Sequence, residues 1–381
     1  MSSRASKWFC PEPFSTVFIS TDGIAAPCCV SGAWTDDQHQ THNIEDWKKA
    51  QNSKYFKGLR SDLMKGGGEF TNRYCQWCIE KENAGQKSHS MNYIDCLTDE
   101  EYDLIDEAYY SNKEYEPPFI KSMQIKAVGG NYCNLSCHMC HASESSGLAL
   151  ENRKIGIKDN HPLDRPAKYV FPWDQDGLIA YLNKTQTLKL VGGETLAIEA
   201  NYDLLKKSIL SGAAKDMDVE IITNATLFPK FDGFDIFDYL PMFKKFHINC
   251  SVEIWGKQND YIRYPSKWEE TKKNIYRLEK SGAFINITST INALNIGYMH
   301  LMDYPRYSMT SVVDKENPFS ITSIPPDIRS KLKILPEHKS LLDSYEYNEE
   351  NMIKMMEIIR LRDAFRGTRL TDVFPEWDRY Y

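Results

Sequence analysis

No stretch of this 381-residue chain approaches the roughly 20 consecutive apolar residues of a helical membrane span, and no apolar run follows the basic residues of Met1–Trp8. No membrane partner is therefore expected, and the cytoplasm is the expected compartment. A surplus of positive charge is also missing. The formal net charge of -7 gives no global attraction to a polyanion, so nucleic acid is not the expected partner. Internal repeats and low-complexity tracts are absent too. What the sequence does have is cysteine, ten residues with several in tight pairs. In a reducing compartment such pairs are metal ligands before they are disulfides.

Hydrophobic content of 41% with 26% charged residues is that of a globular chain, and at this length one core gives way to two modules. Residues 1–117 read as a small, cysteine-bearing domain with a helix-like stretch from Asn43 to Met64, ended by Gly66-Gly67-Gly68, and an acidic connector from Thr98 to Glu116. From Phe119 strand-like and helix-like runs alternate. The strands are expected at Ile120–Ala127, Leu188–Val191, Asp218–Thr223, Lys245–Val252 and Ala283–Ile291. Helices are expected at Trp173–Leu182, Ile198–Leu210 and Trp268–Lys280. This pattern predicts an α/β fold of parallel strands with helices outside, open or barrel-like, with its sites at the carboxyl ends of the strands. Residues 118–325 form this unit. Residues 326–381 add a helical extension that packs on it, and its pattern over Asp343–Arg369 suggests no chemistry.

Cys133, Cys137 and Cys140 fall within eight residues. Their spacing would also suit one buried face of a helix, but Asn134, Ser136 and His138 are poor helix formers and glycines precede them, so a loop is expected. Three soft thiolates without a fourth suit a [4Fe-4S] cluster with one open iron. Zinc is the competing metal, with His138 or His141 completing four ligands.

The spacing Cys-x3-Cys-x2-Cys after the first barrel strand resembles the radical S-adenosylmethionine superfamily, and the likeness covers residues 119 to about 322. It implies a partial (β/α)6 TIM-like barrel. It also implies that the amino and carboxylate groups of S-adenosylmethionine chelate the open iron, and that reductive cleavage of the cofactor yields a 5′-deoxyadenosyl radical. Met139 stands where the family has an aromatic residue. Gly192-Gly193-Glu194 ends a strand with two glycines that let a ligand approach the backbone and a carboxylate that can hold an ammonium. It is similar to the family's Gly-Gly-Glu-Pro motif, with Thr195 in place of proline, which implies that Glu194 contacts the methionine amino group. By the same resemblance Thr223 and Asn224 lie near the ribose, Ser251 and Glu253 contact it, Arg263 grips the methionine carboxylate and Asn292 lies against the adenine. Cys250 reads as a core thiol.

Cys10 and Cys28 frame Gly23, and Cys75 and Cys78 form a Cys-x2-Cys pair. Four thiolates make a closed site for zinc or for a fully ligated cluster. The arrangement resembles the auxiliary-cluster SPASM and twitch domains of peptide-modifying radical enzymes, here placed before the barrel as in a subgroup of bacteria and phages. The resemblance thus implies a small N-terminal iron-sulfur domain, with a host cytoplasm for a phage protein. Cys29 competes with Cys28 as ligand, and Cys96 has no assignment. The expected activity is hydrogen abstraction from a peptide or protein, leading to oxidation or cross-linking, with a flavodoxin- or ferredoxin-type reductant. A dehydrogenase or epimerase acting on a small sugar or nucleotide derivative is the alternative within enzymes. A non-catalytic zinc-binding adaptor is the alternative outside them.

Overall fold

The computed structural model describes residues 8–20, 23–31, 39–41, 43–83, 87–111, 114–126, 130–158 and 175–381. Of residues 39–40, 175–176 and 308–311 it describes the backbone only. Ala127, Gly129 and Trp173, which the sequence reading places at a strand end, in a loop and at a helix start, lie outside these ranges.

Among the described residues nine strands form one sheet: β1 Thr16–Ile19, β2 Ile24–Ala26, β3 His39–Gln40, β4 Ile120–Ile125, β5 Thr185–Leu190, β6 Asp218–Thr223, β7 Lys245–Ser251, β8 Phe284–Ile291 and β9 Tyr307–Val312. Their order is β3-β2-β1-β4-β5-β6-β7-β8-β9. The strands β4 to β9 are parallel neighbours, as expected of an α/β fold built as a partial barrel. The sequence reading did not foresee that the N-terminal segment joins this sheet. The strand β1 runs parallel to β4, with Thr16 opposite Ser122 and Ile19 opposite Ile125, and β2 and β3 extend it in antiparallel fashion.

Alternation along the strands sorts their side chains. In β7, Phe246, Ile248 and Cys250 are buried while His247, Asn249 and Ser251 are half-buried. The buried faces of β4 to β8 meet the helices in one hydrophobic cluster that also takes in Phe9, Trp47 and Leu59 from the N-terminal segment. The Trp268–Lys280 helix contributes Trp268, Ile275 and Leu278 to it, on one face by helical spacing. A second cluster joins Ile254 and Ile291 to Met355, Met356, Ile359 and Trp377. It brings the C-terminal helix, Glu349–Arg366, to the carboxyl ends of the strands. No helix among the described residues is long and apolar enough to cross a membrane.

The stretch expected as one helix from Asn43 to Met64 is two, Ile44–Gln51 and Lys54–Lys65. Asn43 caps the first by accepting from Asp46 N at 2.9 Å, and Ser53 caps the second by accepting from Phe56 N at 3.4 Å. The break has a purpose. Asn52 Nδ2 donates to Tyr115 O at 3.1 Å and Tyr115 N donates to Asn52 Oδ1 at 2.8 Å, which fastens the acidic connector.

Arg60 holds the same corner from inside. It is 1% exposed, donates to Pro13 O at 3.1 Å and to Gln51 O, and lies 4.3 Å from the centre of the Tyr115 ring. Replacing it with methionine keeps the apolar stem and strands two buried carbonyls. Arg60→Met should lower the unfolding free energy by about 1–3 kcal/mol, read as an earlier urea midpoint with an unchanged slope.

Candidate functional site

The loop after β4 carries Cys133, Cys137 and Cys140, and no helix forms between Asn131 and His141. Away from the sheet its backbone finds other partners. Ser136 N donates to Tyr264 O at 2.6 Å, His138 N to Ile262 O at 2.9 Å and Cys133 N to Ser146 Oγ at 3.2 Å. Ser145 Oγ donates to Leu135 O at 2.7 Å while accepting from Leu148 N, so it joins the loop to the cap of the Ser146–Lys154 helix. Gly147 lets this helix lie under the loop, because a Cβ there would sit 2.9 Å from the Cys133 carbonyl oxygen. Burial is the largest influence on each of the three thiols. Burial, then Cys137 and Glu194, push Cys133 up to about 12. Burial raises Cys140 as well, followed by Cys137 and Cys133. Burial raises Cys137 against the pull of Arg263.

The glycine pair lies against the cysteine loop. Gly193 has φ +54, and a Cβ on it would collide with the Tyr132 carbonyl oxygen, so what approaches this backbone is the cysteine loop itself. Glu194 N donates to that same oxygen at 2.6 Å. The Glu194 side chain is buried and binds the neighbouring motif. Its Oε1 accepts from Thr223 Oγ1 at 2.5 Å and from Leu196 N at 3.1 Å, and its Oε2 accepts from Asn224 N at 2.7 Å. A carboxylate accepts about four bonds, so Glu194 retains room for one more donor. Burial raises its pKa and the hydrogen bonds from Thr223, Asn224 and Leu196 oppose that. Asn224 reaches back to the loop, donating to Asn134 Oδ1 at 3.0 Å and lying 3.9 Å from Cys133 Sγ.

Glu253 and Arg263, expected on two different parts of a cofactor, bind each other at 2.8 Å. The other Glu253 oxygen accepts from Thr290 N at 2.9 Å and Asn295 Nδ2 at 3.2 Å. Burial works against the Arg263 charge, but Cys137 and Glu253 outweigh it and raise its pKa. Ser251 ends β7 half-buried, opposite Thr288. The side chain of Asn292 closes the turn after β8, donating to Thr290 O and accepting from Leu294 N, both at 2.9 Å.

Three groups escaped the sequence reading. Arg362 and Arg366 of the C-terminal helix reach the cysteine loop, the first donating to His138 O at 2.9 Å and the second to Ser136 O at 2.5 Å. The signal was present, since both continue the buried stripe of Met352, Met355 and Ile359. His138 is buried, and its Nε2 lies 2.9 Å from Arg366 Nη1. Burial and the two guanidiniums lower its pKa. On the half-buried face of the sheet a polar row crosses the strands. Lys189 Nζ donates to Tyr93 OH at 2.9 Å and pairs with Glu220 at 3.2 Å. Asn249 Nδ2 donates to Glu220 at 3.1 Å, and Asn286 Nδ2 donates to Asn249 Oδ1 at 3.2 Å. Tyr93 comes from the N-terminal segment.

Cys10, Cys28, Cys75 and Cys78 all line one cavity of about 340 Å³ in that segment, among apolar side chains such as Phe9 and Leu59. Cys29 is exposed and lies 3.7 Å from His89 Nε2, which is 3.2 Å from the buried Glu12 carboxylate. Burial pushes Cys75 up to about 12 and raises Cys10 and Cys28 as well. Cys96 is exposed, and Cys250 is buried in the core.

Among the described residues no group of three or more His, Cys, Asp or Glu side chains is arranged to hold a metal ion. A tetrahedral zinc with bonds near 2.3 Å would need its sulfurs about 3.8 Å apart. An iron-sulfur cluster is gripped at its corners and needs space between its thiolates. The four-thiol cavity offers soft donors around such space, and the three thiols of the loop are donors of the kind that a cluster takes.

No family model matches the chain, and no curated protein does. Among solved structures, native anSMEcpe with bound AdoMet is 13% identical over 65% of this chain and 62% of that one, with a TM-score of 0.37. Streptococcus suis SuiB bound to S-adenosylmethionine is 13% identical over 98% of this chain and 75% of that one, with a TM-score of 0.36. SuiB bound to precursor peptide SuiA is 14% identical over 76% of this chain and 66% of that one, with a TM-score of 0.31. The chain thus covers less than two thirds of the length of anSMEcpe.

Proposed function

We propose that this chain is a radical S-adenosylmethionine enzyme in which Cys133, Cys137 and Cys140 hold a [4Fe-4S] cluster with one iron left to the cofactor. One observation carries the reading. The cysteine loop, the Gly193-Glu194 turn and the Thr223-Asn224 strand end are joined to each other by Tyr132 O, Glu194 and Asn224 at the carboxyl ends of adjacent strands. When bound, the cluster supplies the electron that cleaves S-adenosylmethionine.

The chain's own groups bind and orient the cofactor. Glu194, held by three donors, offers its remaining lone pair to the methionine ammonium. Arg263, braced by Glu253, offers its fork to the carboxylate. Thr223, Asn224 and Ser251 line the ribose side, and Asn292 shapes the turn on the adenine side. In this reading residues 1–117 are a twitch- or SPASM-like domain holding a second cluster at Cys10, Cys28, Cys75 and Cys78. Residues 118–325 are the barrel and 326–381 its helical extension, with a flavodoxin- or ferredoxin-type reductant. The substrate is a peptide or protein that is oxidised or cross-linked.

Anaerobically reconstituted protein should contain about eight irons and eight sulfides per chain. With dithionite it should release 5′-deoxyadenosine from S-adenosylmethionine, and Cys137→Ala should release none. Zinc in place of iron, or undiminished release by the variant, would overturn the proposal.

The double variant Cys75→Ala and Cys78→Ala should lose about half of the iron while still cleaving the cofactor. An iron content equal to that of the unaltered protein would remove the quartet from the assignment. Glu194→Gln should weaken S-adenosylmethionine binding about tenfold in calorimetry, since a neutral amide replaces a charged acceptor.

A further inference from the structure

The buried stripe of the C-terminal helix passes through Met352, Met355 and Ile359 and continues in Arg362 and Arg366, whose side chains are 5% and 1% exposed. A helix of this kind would ordinarily end its stripe in apolar residues. Here two guanidiniums enter the interior and stop at the main chain on either side of Cys137. Arg366 Nη2 donates to Ser136 O at 2.5 Å, and Arg362 Nη1 donates to His138 O at 2.9 Å. The amides of the same residues are already occupied, Ser136 N by Tyr264 O and His138 N by Ile262 O. Both main-chain polar groups of Ser136 and of His138 are therefore paired, without a strand on either side.

The spacing makes this possible. Four residues of helix rise about 6 Å and return to nearly the same face, so arginines at i and i+4 reach two carbonyls that lie two residues apart in the loop. Glu151 orients the forks. Arg366 Nε and Nη2 reach its two oxygens at 3.1 and 2.7 Å, and Arg362 Nε lies 3.6 Å away. His138 stacks on Tyr261 at 4.9 Å and lies against both guanidiniums. One carboxylate against two guanidiniums leaves a net positive charge beside Cys137.

We propose that Arg362 and Arg366 are positioning residues of the cysteine loop, fixing the main chain on both sides of Cys137 and offsetting the negative charge of a thiolate-bound cluster. The C-terminal extension is then a working wall of the site. The cluster part of this inference rests on the function proposed above, whereas the loop part does not.

The test is hydrogen-deuterium exchange on the metal-free protein, followed by iron analysis. Peptides covering Cys133–Cys140 should exchange about tenfold faster in Arg366→Met and in Arg362→Met than in the unaltered protein, and less than that in Arg366→Lys, which keeps the charge and loses the fork. Leu361→Ala, an exposed position on the same helix, should change nothing, and peptides from β6 and β7 should be unaffected throughout. After reconstitution in a Cys75→Ala, Cys78→Ala background, Arg366→Met should retain less than half of the remaining iron. Unchanged loop exchange in both arginine variants overturns the proposal. If a methionine variant does not fold, Arg366→Lys and Arg362→Lys decide it by the same comparison. Zinc instead of iron in the unaltered protein would defeat the proposed function, and the exchange result would still stand or fall alone.

Discussion

A loop that leaves the end of a parallel strand keeps its amides and carbonyls but loses the neighbour that paired them, and buried main-chain groups do not stay unpaired. The segment from Asn131 to His141 meets this constraint by drawing partners from many places. Residues 262 and 264 take the amides of His138 and Ser136, Arg362 and Arg366 take their carbonyls, and Glu194 N takes Tyr132 O. Three cysteines are thereby presented from a backbone that is neither helix nor sheet yet is bonded like one. The flanking motifs serve this loop before they serve any ligand. Gly193 is glycine because of Tyr132, and Asn224 reaches Asn134 and the edge of Cys133.

This explains which features could be read from the sequence. The cysteine spacing, the glycines, the Thr223-Asn224 strand end and the alternation of strands and helices are local patterns, and local patterns survive in one dimension. The mutual pairing of Glu253 with Arg263 is not local. Each was assigned to a separate ligand group because nothing in the sequence states that residues ten apart, across a strand end and a short helix, face each other. The helix break at Asn52 was missed for a related reason. Asn52 is unremarkable within a helical pattern, and its role appears only when Tyr115 arrives 63 residues later. The choice between Cys28 and Cys29 was likewise one of direction, which adjacent residues in a sequence do not record.

Strand periodicity carried more than was taken from it. A parallel sheet covered by helices on both faces gives nearly continuous apolar strands. Here β6 and β7 alternate, with Glu220, Asn249 and Ser251 interleaved among buried Val219, Ile221, Ile248 and Cys250. Alternation in parallel strands means that one face has no helix on it. That face carries the polar row and borders the space left beside it.

Chain order then decides what closes that space. A module that follows a barrel attaches beyond its last strand, but one that precedes it can add strands beside the first. Such an addition occurs here, with β1 parallel to β4, the strand that carries the cysteine loop. Parallel register puts Ile19 beside Ile125 at the carboxyl end, while Cys10 precedes β1 and Cys28 follows the antiparallel β2, both toward the amino end. The two thiol sets therefore belong to opposite ends of neighbouring strands. The polar row is reached from the N-terminal segment by Tyr93 through Lys189. The placement of the two thiol sets follows from the order of the segments and the direction of one short strand.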